Sequence, residues 1–184
     1  MALNRRSALG TALKSGLALI VGAIAGTAKS STTNAQESSS EASVLHVAMN
    51  VTDMKRTTRF YSEVFGFKAA PPIKPDNQAA RIFGFPKLDI QARYLRLGNL
   101  NVLIRQFDDP KYAGPKRDLP VNYPGWGDIA LRVSDIEPVI SATRRLGGTV
   151  YENTRTVEGT PEQPGPEVIF IADPDGARVE VVKI

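Results

Sequence analysis

The chain has 184 residues, 42% of them hydrophobic, enough for one domain with a real core, and it contains no cysteine, which excludes disulfides, thiolate metal sites and cysteine nucleophiles. Its formal charge is +4, but Arg5, Arg6, Lys14 and Lys29 all precede Gln36 and no acidic residue does, so without that segment the balance falls to 0. A near-neutral body gives no electrostatic reason to expect nucleic acid or an anionic membrane as partner. Any metal must be held through nitrogen or oxygen.

The chain begins with Asn4-Arg5-Arg6-Ser7, continues through the apolar run Gly16 to Ala28, and then turns rich in Thr, Ser and Asn. Charged, then apolar, then polar is the order of a secretory signal peptide, and the run is shorter than the roughly 20 residues that span a bilayer. Residues 1–35 are therefore read as an export signal cleaved after the small residues Thr33-Asn34-Ala35. The route is Sec or, from the paired arginines, twin-arginine. The expected product is periplasmic or secreted, with no stable membrane insertion after cleavage, and residues 36–43 read as a polar linker.

From Val44 the pattern becomes that of a folded domain. Val44 to Val51 is short and β-branched, a strand; Thr52 or Asp53 caps a helix whose buried stripe is Thr58, Tyr61, Val64 and Phe65, and Gly66 ends it. Three strand-like runs follow, Phe67 to Ala70, Ala92 to Leu97 and Asn101 to Phe107, with Gly98-Asn99 turning the last pair. The same order then returns. Ile129 to Val133 is a strand, Ser134 or Asp135 caps a helix with Val139, Ile140 and Leu146 on its apolar side, and Gly147-Gly148 ends it. Thr149 to Glu152, Glu167 to Ala172 and Arg178 to Lys183 are the closing strands, with Asp173-Pro174-Asp175-Gly176 as the last turn.

A repeated strand-helix-strand-strand-strand unit is too small to bury both faces of its own sheet, so two copies must pair. Two connections are long, Pro71 to Ile90 and Asp108 to Pro124, and connections of that length are often lids. Asp76 to Phe85 reads equally well as a short lid helix or as a solvated excursion.

Several stretches resemble the vicinal oxygen chelate superfamily of glyoxalases, bleomycin resistance proteins and extradiol dioxygenases. They are Leu45-His46-Val47-Ala48, the segment from Arg59-Phe60-Tyr61 to Gly66-Phe67, Asp128 to Val133, and Ala172-Asp173-Pro174-Asp175-Gly176 leading into Glu180. The resemblance covers residues 43–184. It implies an α+β fold of two tandem βαβββ modules forming a cupped mixed sheet around a central cavity. Module one is residues 44–107, the linker 108–124 and module two 125–184. The paired modules close within one chain or exchange between two, so a homodimer is one outcome.

Metal-binding members of the superfamily take ligands from the first and last strands of each module: His, Glu or Gln, His, and Glu. Here His46 and Glu180 match that pattern, Asp128 stands at the strand-five position, and Leu103 falls at the strand-four position. A register slip that brought Gln106 to the site would also exchange the strand's faces and is not favoured. By residue type alone, His46 reads as a core side chain, and Glu180 as an outward residue able to pair with Arg178; the resemblance favours both as ligands. A His46, Asp128, Glu180 set suits Fe, Mn or Mg more than Zn, because oxygen-rich sites favour harder cations.

The resemblance thus implies a divalent-metal-dependent lyase or isomerase acting on a small substrate with vicinal oxygens, with Glu180 also moving the proton. Tyr94, Leu103, Phe107, Tyr123 and Trp126 would line the substrate, with Arg105 or Arg178 meeting an anionic group. The alternative is a metal-free ligand-binding protein of the bleomycin resistance kind, and a ring-cleaving dioxygenase is a less favoured third reading.

Overall fold

The computed structural model describes residues 43–184 apart from 77, 113, 115–121 and 123. The export signal and Tyr123 lie outside the described residues. The elements run in the expected order: β1 (Val47–Val51), α1 (Met54–Phe65), β2 (Lys68–Ala69), α2 (Gln78–Ile82), β3 (Asp89–Leu97), β4 (Leu100–Asp109), β5 (Asp128–Val133), α3 (Glu137–Arg145), β6 (Thr149–Thr160), β7 (Gln163–Ala172) and β8 (Arg178–Lys183). They form two four-stranded mixed sheets, ordered β1-β4-β3-β2 and β5-β8-β7-β6, each with one parallel pair at its first strand. This is the α+β pair of βαβββ modules, and the two sheets do not close into a barrel within the chain. No helix of the described residues is long and apolar enough to cross a membrane.

Alternation along the strands decides which face each sheet buries. Met49 and Val51 of β1, Leu95 of β3, and Val102 and Ile104 of β4 join the same apolar cluster as Leu131 of β5, Ile169 and Ile171 of β7, and Val179 and Val181 of β8. Between the sheets lie α1, packed on β2, β3 and β4, and α3, packed on β6 and β7, and the two helices pack on each other. Both sheets therefore turn their helix-side faces to one shared core.

Asp53 caps α1, its Oδ1 accepting the Arg56 N–H, and Gly66 closes the helix with φ 76°. The buried stripe differs from the expected one: it is Met54, Thr57, Phe60 and Tyr61, while Val64 and Phe65 are only partly buried. The helix meets α3 as well as its own sheet, so the stripe is rotated toward the neighbour. The cap of α3 also differs. Ile136 is its N-cap residue, fully buried and without a side-chain cap bond, with Asp135 Oδ1 accepting the Glu137 N–H beside it. Burial of Ile136 in the common core outweighs the preference for a polar cap.

Strand lengths also depart from expectation at two places. β1 starts at Val47, opposite Val102, so the exposed Val44 and Leu45 lie outside the ladder although β4 reaches back to Leu100. β6 and β7 run well past Glu152 and before Glu167, with register shifts between Tyr151 and Thr156 and between Val157 and Gly159. Polar residues and two prolines hid this hairpin, since its pairing continues without apolar alternation.

Direct contacts fix the modules to each other. The Tyr61 hydroxyl donates to Asp173 Oδ2, whose other oxygen accepts the N–H groups of Asp175 and Ala177 in the last turn. Asp175 in turn accepts from the Thr52 hydroxyl at 2.5 Å and from Arg56 at 2.6 Å. Phe60 reaches the α3–β6 turn, where a Cβ built on Gly148 would lie 2.5 Å from the Ala172 carbonyl oxygen and 2.8 Å from the Phe60 ring. The two adjacent glycines thus differ in role: Gly147 supplies a positive φ and Gly148 a close approach.

Two outcomes are expected. Gly148→Ala forces a backbone carbonyl and the Phe60 ring apart and destabilises by about 1–3 kcal/mol in urea unfolding, whereas substituting the solvent-facing Gly127, with open space around it, has a much smaller effect. Asp173 is held above its ordinary value chiefly by burial, which outweighs its hydrogen bonds from Ala177, Asp175 and Tyr61. A carboxyl raised in the folded state ionises at the expense of the fold, so its contribution is full below about pH 4 and is lost as pH climbs through the raised value. Melting temperature should therefore fall with rising pH less steeply in Asp173→Asn than in wild type over that window; equal slopes would contradict the assignment.

Candidate functional site

The residues singled out from sequence lie on the faces turned away from the shared core. The register makes the two modules directly comparable. In module one, Ala48 of β1, Leu103 of β4 and Tyr94 of β3 share a row; in module two, Ala130 of β5, Glu180 of β8 and Phe170 of β7 share the corresponding row. Leu103 thus occupies the place of Glu180. By the same count His46, immediately before β1, is the counterpart of Asp128.

Module two brings two of the three candidate ligands together. Asp128 is opposite Arg178 and one row from Glu180 on the same side of the sheet. Glu180 is buried, 8% exposed. Burial, then the Asp128 carboxylate, then that of Glu158 all raise its pKa. Glu158 comes from the extended β6, the part of the hairpin that the sequence pattern does not reveal. Arg178 stacks on the Tyr151 ring at 4.4 Å.

His46 has other company. Its Nδ1 lies 3.5 Å from the Tyr94 hydroxyl and its ring stands edge-on to Tyr94. It borders a shallow recess of about 280 Å³ with Val44, Leu45, Asn99, Leu100 and Asn101. Among the described residues, no three His, Asp or Glu side chains come together in a way that could hold a metal ion. The expected meeting of His46 with Asp128 and Glu180 around one point is therefore not made inside one chain. The reason is the shared core: with both sheets facing the helices, their other faces point away from it and cannot enclose a common hollow.

The rest of the face of module one carries the expected substrate-lining residues and a cover. Arg105 stands in the row of Asn50 and Ala92, one step from Leu103 and Tyr94. Of the two readings of Asp76 to Phe85 the chain takes the helical one, α2, and the residues after it lie against this face. Phe83 meets Phe107 at 5.7 Å and Phe85 meets it at 6.3 Å, both edge-on, and the Arg105 guanidinium sits 5.0 Å from the Phe83 ring centre. Ile90 and Ala92 beneath are buried. Trp126, by contrast, is 85% exposed and forms no wall within the chain. Gln106 faces the other way, its Oε1 accepting the Met54 N–H and its Nε2 donating to Asp108. It is a structural residue on the core side.

Comparison with known proteins agrees with this architecture. The sequence pattern of the Glyoxalase/Bleomycin resistance protein/Dioxygenase superfamily matches residues 43–181. A virulence protein of Salmonella typhimurium is 30% identical over 137 residues, covering 74% of this chain and 80% of its own length. A lactoylglutathione lyase of Haemophilus influenzae is 28% identical over 143 residues, covering 76% of this chain and 91% of its own. A lactoylglutathione lyase of Arabidopsis thaliana is 26% identical, and there the match spans only 43% of the plant protein. Among solved structures, a glyoxalase family protein from Bacillus cereus superposes with a TM-score of 0.70 at 16% identity, covering 81% of this chain and 98% of that one. With the pattern matched across both modules, the chain belongs to the glyoxalase/bleomycin resistance protein/dioxygenase superfamily.

Proposed function

We propose that this protein is a divalent-metal-dependent lyase or isomerase acting on a small substrate with vicinal oxygens, and that its site is completed by a second copy of the chain. The observation that carries the reading is the pair of half-sites. One face presents a nitrogen donor, His46, and the equivalent face presents two carboxylates, Asp128 and Glu180, each on a surface turned away from the shared core. A twofold pairing that sets module one of one chain against module two of the other unites one nitrogen and two oxygen donors. Such a set suits Fe, Mn or Mg, leaves positions for substrate oxygens, and closes the faces that a single chain leaves apart. A solvent-exposed Leu45, Val44 and Trp126 beside these faces are apolar surface such a contact would cover.

When bound, the cation would hold two neighbouring substrate oxygens and stabilise the anion left by loss of a C–H proton. The chain supplies the rest. The Glu180 carboxylate, buried beside Asp128 and Glu158 in the metal-free chain, is the group placed to accept and return the proton. Tyr94 positions the His46 ring through the contact at Nδ1. Phe83 and Phe85 partly cover the face of module one around Phe107 and Arg105.

Leu103 favours a second reading, since an apolar side chain replaces a donor at the place equivalent to Glu180. In that reading the face binds a ligand without metal. Export through residues 1–35 is proposed on the sequence order alone, and finding the mature N-terminus near Gln36 in an exported fraction by mass spectrometry would support it; an intact N-terminus in the cytoplasm would refute it.

The readings separate by titration. Wild type is expected to bind Mn(II) or Fe(II) by calorimetry and to sediment as a dimer, with His46→Ala and Glu180→Gln each weakening the metal at least tenfold. Mixed dimers of those two variants should regain about half of the sites, because one composite centre is then intact. Metal binding that His46→Ala leaves unchanged would sink the proposal, and no metal uptake with tight binding of an organic ligand would favour the second reading. In metal-free protein, Glu180→Gln removes the repulsion from Asp128 and Glu158, so its melting temperature at neutral pH should exceed that of wild type; a lower one would mean that the carboxylate has a structural partner.

A further inference from the structure

We propose that Arg105, held beneath Phe83, is the receptor for an anionic group of the ligand, and that the ligand is an organic carboxylate with a flat apolar body. The proposal rests on reading the face of module one as part of the substrate site, and it names the substrate class for it.

Arg105 stands apart from the other partly buried arginines, while Arg81, Arg96 and Arg132 are exposed to solvent. Arg56, Arg59, Arg144, Arg145 and Arg155 each form ion pairs with carboxylates, and Arg93 donates to the Thr58 hydroxyl. Among the described residues Arg105 has no acceptor; its Nε is buried without a partner, and burial alone lowers its pKa, with no carboxylate acting against the shift. Holding a guanidinium partly withdrawn from water, with its Nε buried and no counter-charge, carries a cost. The protein tolerates this cost on the face that also carries His46, where a ligand's negative charge would offset it.

The surroundings narrow the class. A guanidinium is a planar fork that matches the two oxygens of a carboxylate. Phe83 lies 5.0 Å from it, and Phe107 and Phe85 extend the aromatic wall, which fits a flat apolar group next to the charge. Arg105 is level with Asn50, four residues along from His46, a separation of roughly 13 Å at about 3.3 Å per residue. A two-carbon acid does not bridge those levels, so the anionic end and the end near His46 are separated by a ring or a chain. Phe83 follows α2, in the long connection between β2 and β3, so the same segment that covers the face also clamps the arginine.

The test uses 4-fluorobenzoate as the carboxylate probe and 4-fluorobenzamide as its neutral counterpart, followed by calorimetry, fluorine NMR and thermal melting of the purified protein without metal. Wild type is expected to bind the benzoate at least tenfold more tightly than the benzamide and to melt higher in its presence. Arg105→Met should weaken the benzoate at least tenfold while melting, without ligand, no lower than wild type, because it removes an uncompensated cation. Phe83→Ala should weaken binding several-fold. Arg105→Lys keeps the charge but loses the fork, so it should fall between wild type and Arg105→Met, and it carries the test if the methionine variant fails to fold. Equal binding of benzamide, benzoate binding unaffected by either Arg105 variant, or a dimer that dissociates in Arg105→Met would overturn the proposal; the last would mean that Arg105 pairs with a second copy. Repeating the titrations with Mn(II) separates the two readings. Arg105-dependent benzoate binding in a protein that takes up no Mn(II) overturns the metal reading alone, and Mn(II) uptake with Arg105-independent benzoate binding overturns this one alone.

Discussion

The contact between α1 and α3 sets the geometry of everything else. Each βαβββ unit has one helix to cover one face of its sheet, and that leaves the helix itself half uncovered. Packing the two helices together solves the problem for both units at once. It draws Phe60 into the α3–β6 turn, ties Tyr61 to Asp173 and ties Thr52 and Arg56 to Asp175. The consequence is that the other face of each sheet points outward. Burial thus determines where chemistry can occur: on two separate surfaces that one chain does not bring together.

Comparing the two units position by position shows how packing and function divide the residues. On the core side the apolar counterparts are alike: Met49 with Leu131, Val51 with Val133, Val102 with Val179, Ile104 with Val181 and Leu95 with Ile171; Arg93 and Gln106, which bond to α1, are the departures. On the outer side four pairs differ in kind, His46 with Asp128, Asn50 with Arg132, Leu103 with Glu180 and Arg105 with Val182, beside the similar pairs Ala48 with Ala130 and Tyr94 with Phe170. An interior tolerates little change in volume and a polar side chain only where it is hydrogen-bonded, whereas an outer row is less constrained. The unit therefore repeats as a scaffold while the two surfaces carry different donors.

Much of this was legible in the sequence because the same alternation that buries one face exposes the other. The two strand-helix-strand-strand-strand units, the Asp53 cap, the Gly66 stop and the Asp-Pro-Asp-Gly turn follow from local patterns, and the superfamily match confirms the architecture they imply. What local patterns do not carry is contact between units. The stripe of α1 rotates to Thr57 and Phe60 because α3 lies beside it, and Ile136 takes a cap position because the common core accepts it. The β6–β7 hairpin lacks apolar alternation, so Glu158 gave no sign that it would come near Glu180. Parity groups His46 with Ala48 and Asn50 and Glu180 with Arg178 along their strands, but it decides neither which side meets the core nor whether two faces look at each other.

Glu180 and Arg105 point to the same physical conclusion from opposite signs. Each is an ionisable group on an outer face, Glu180 buried and Arg105 partly so, and each lacks an opposite charge among the described residues: burial and neighbouring carboxylates shift Glu180, and burial alone shifts Arg105. A fold selected for stability alone would replace both, since a methyl-rich side chain fits such a place at lower cost. Two uncompensated charges of opposite sign, one in each unit, are instead what a surface looks like when its counter-charges arrive from outside. A cation is the natural complement of the acidic half, and a carboxylate that of the basic half. A ligand bearing vicinal oxygens at one end and an acid group at the other would satisfy both surfaces together once the two halves are brought face to face.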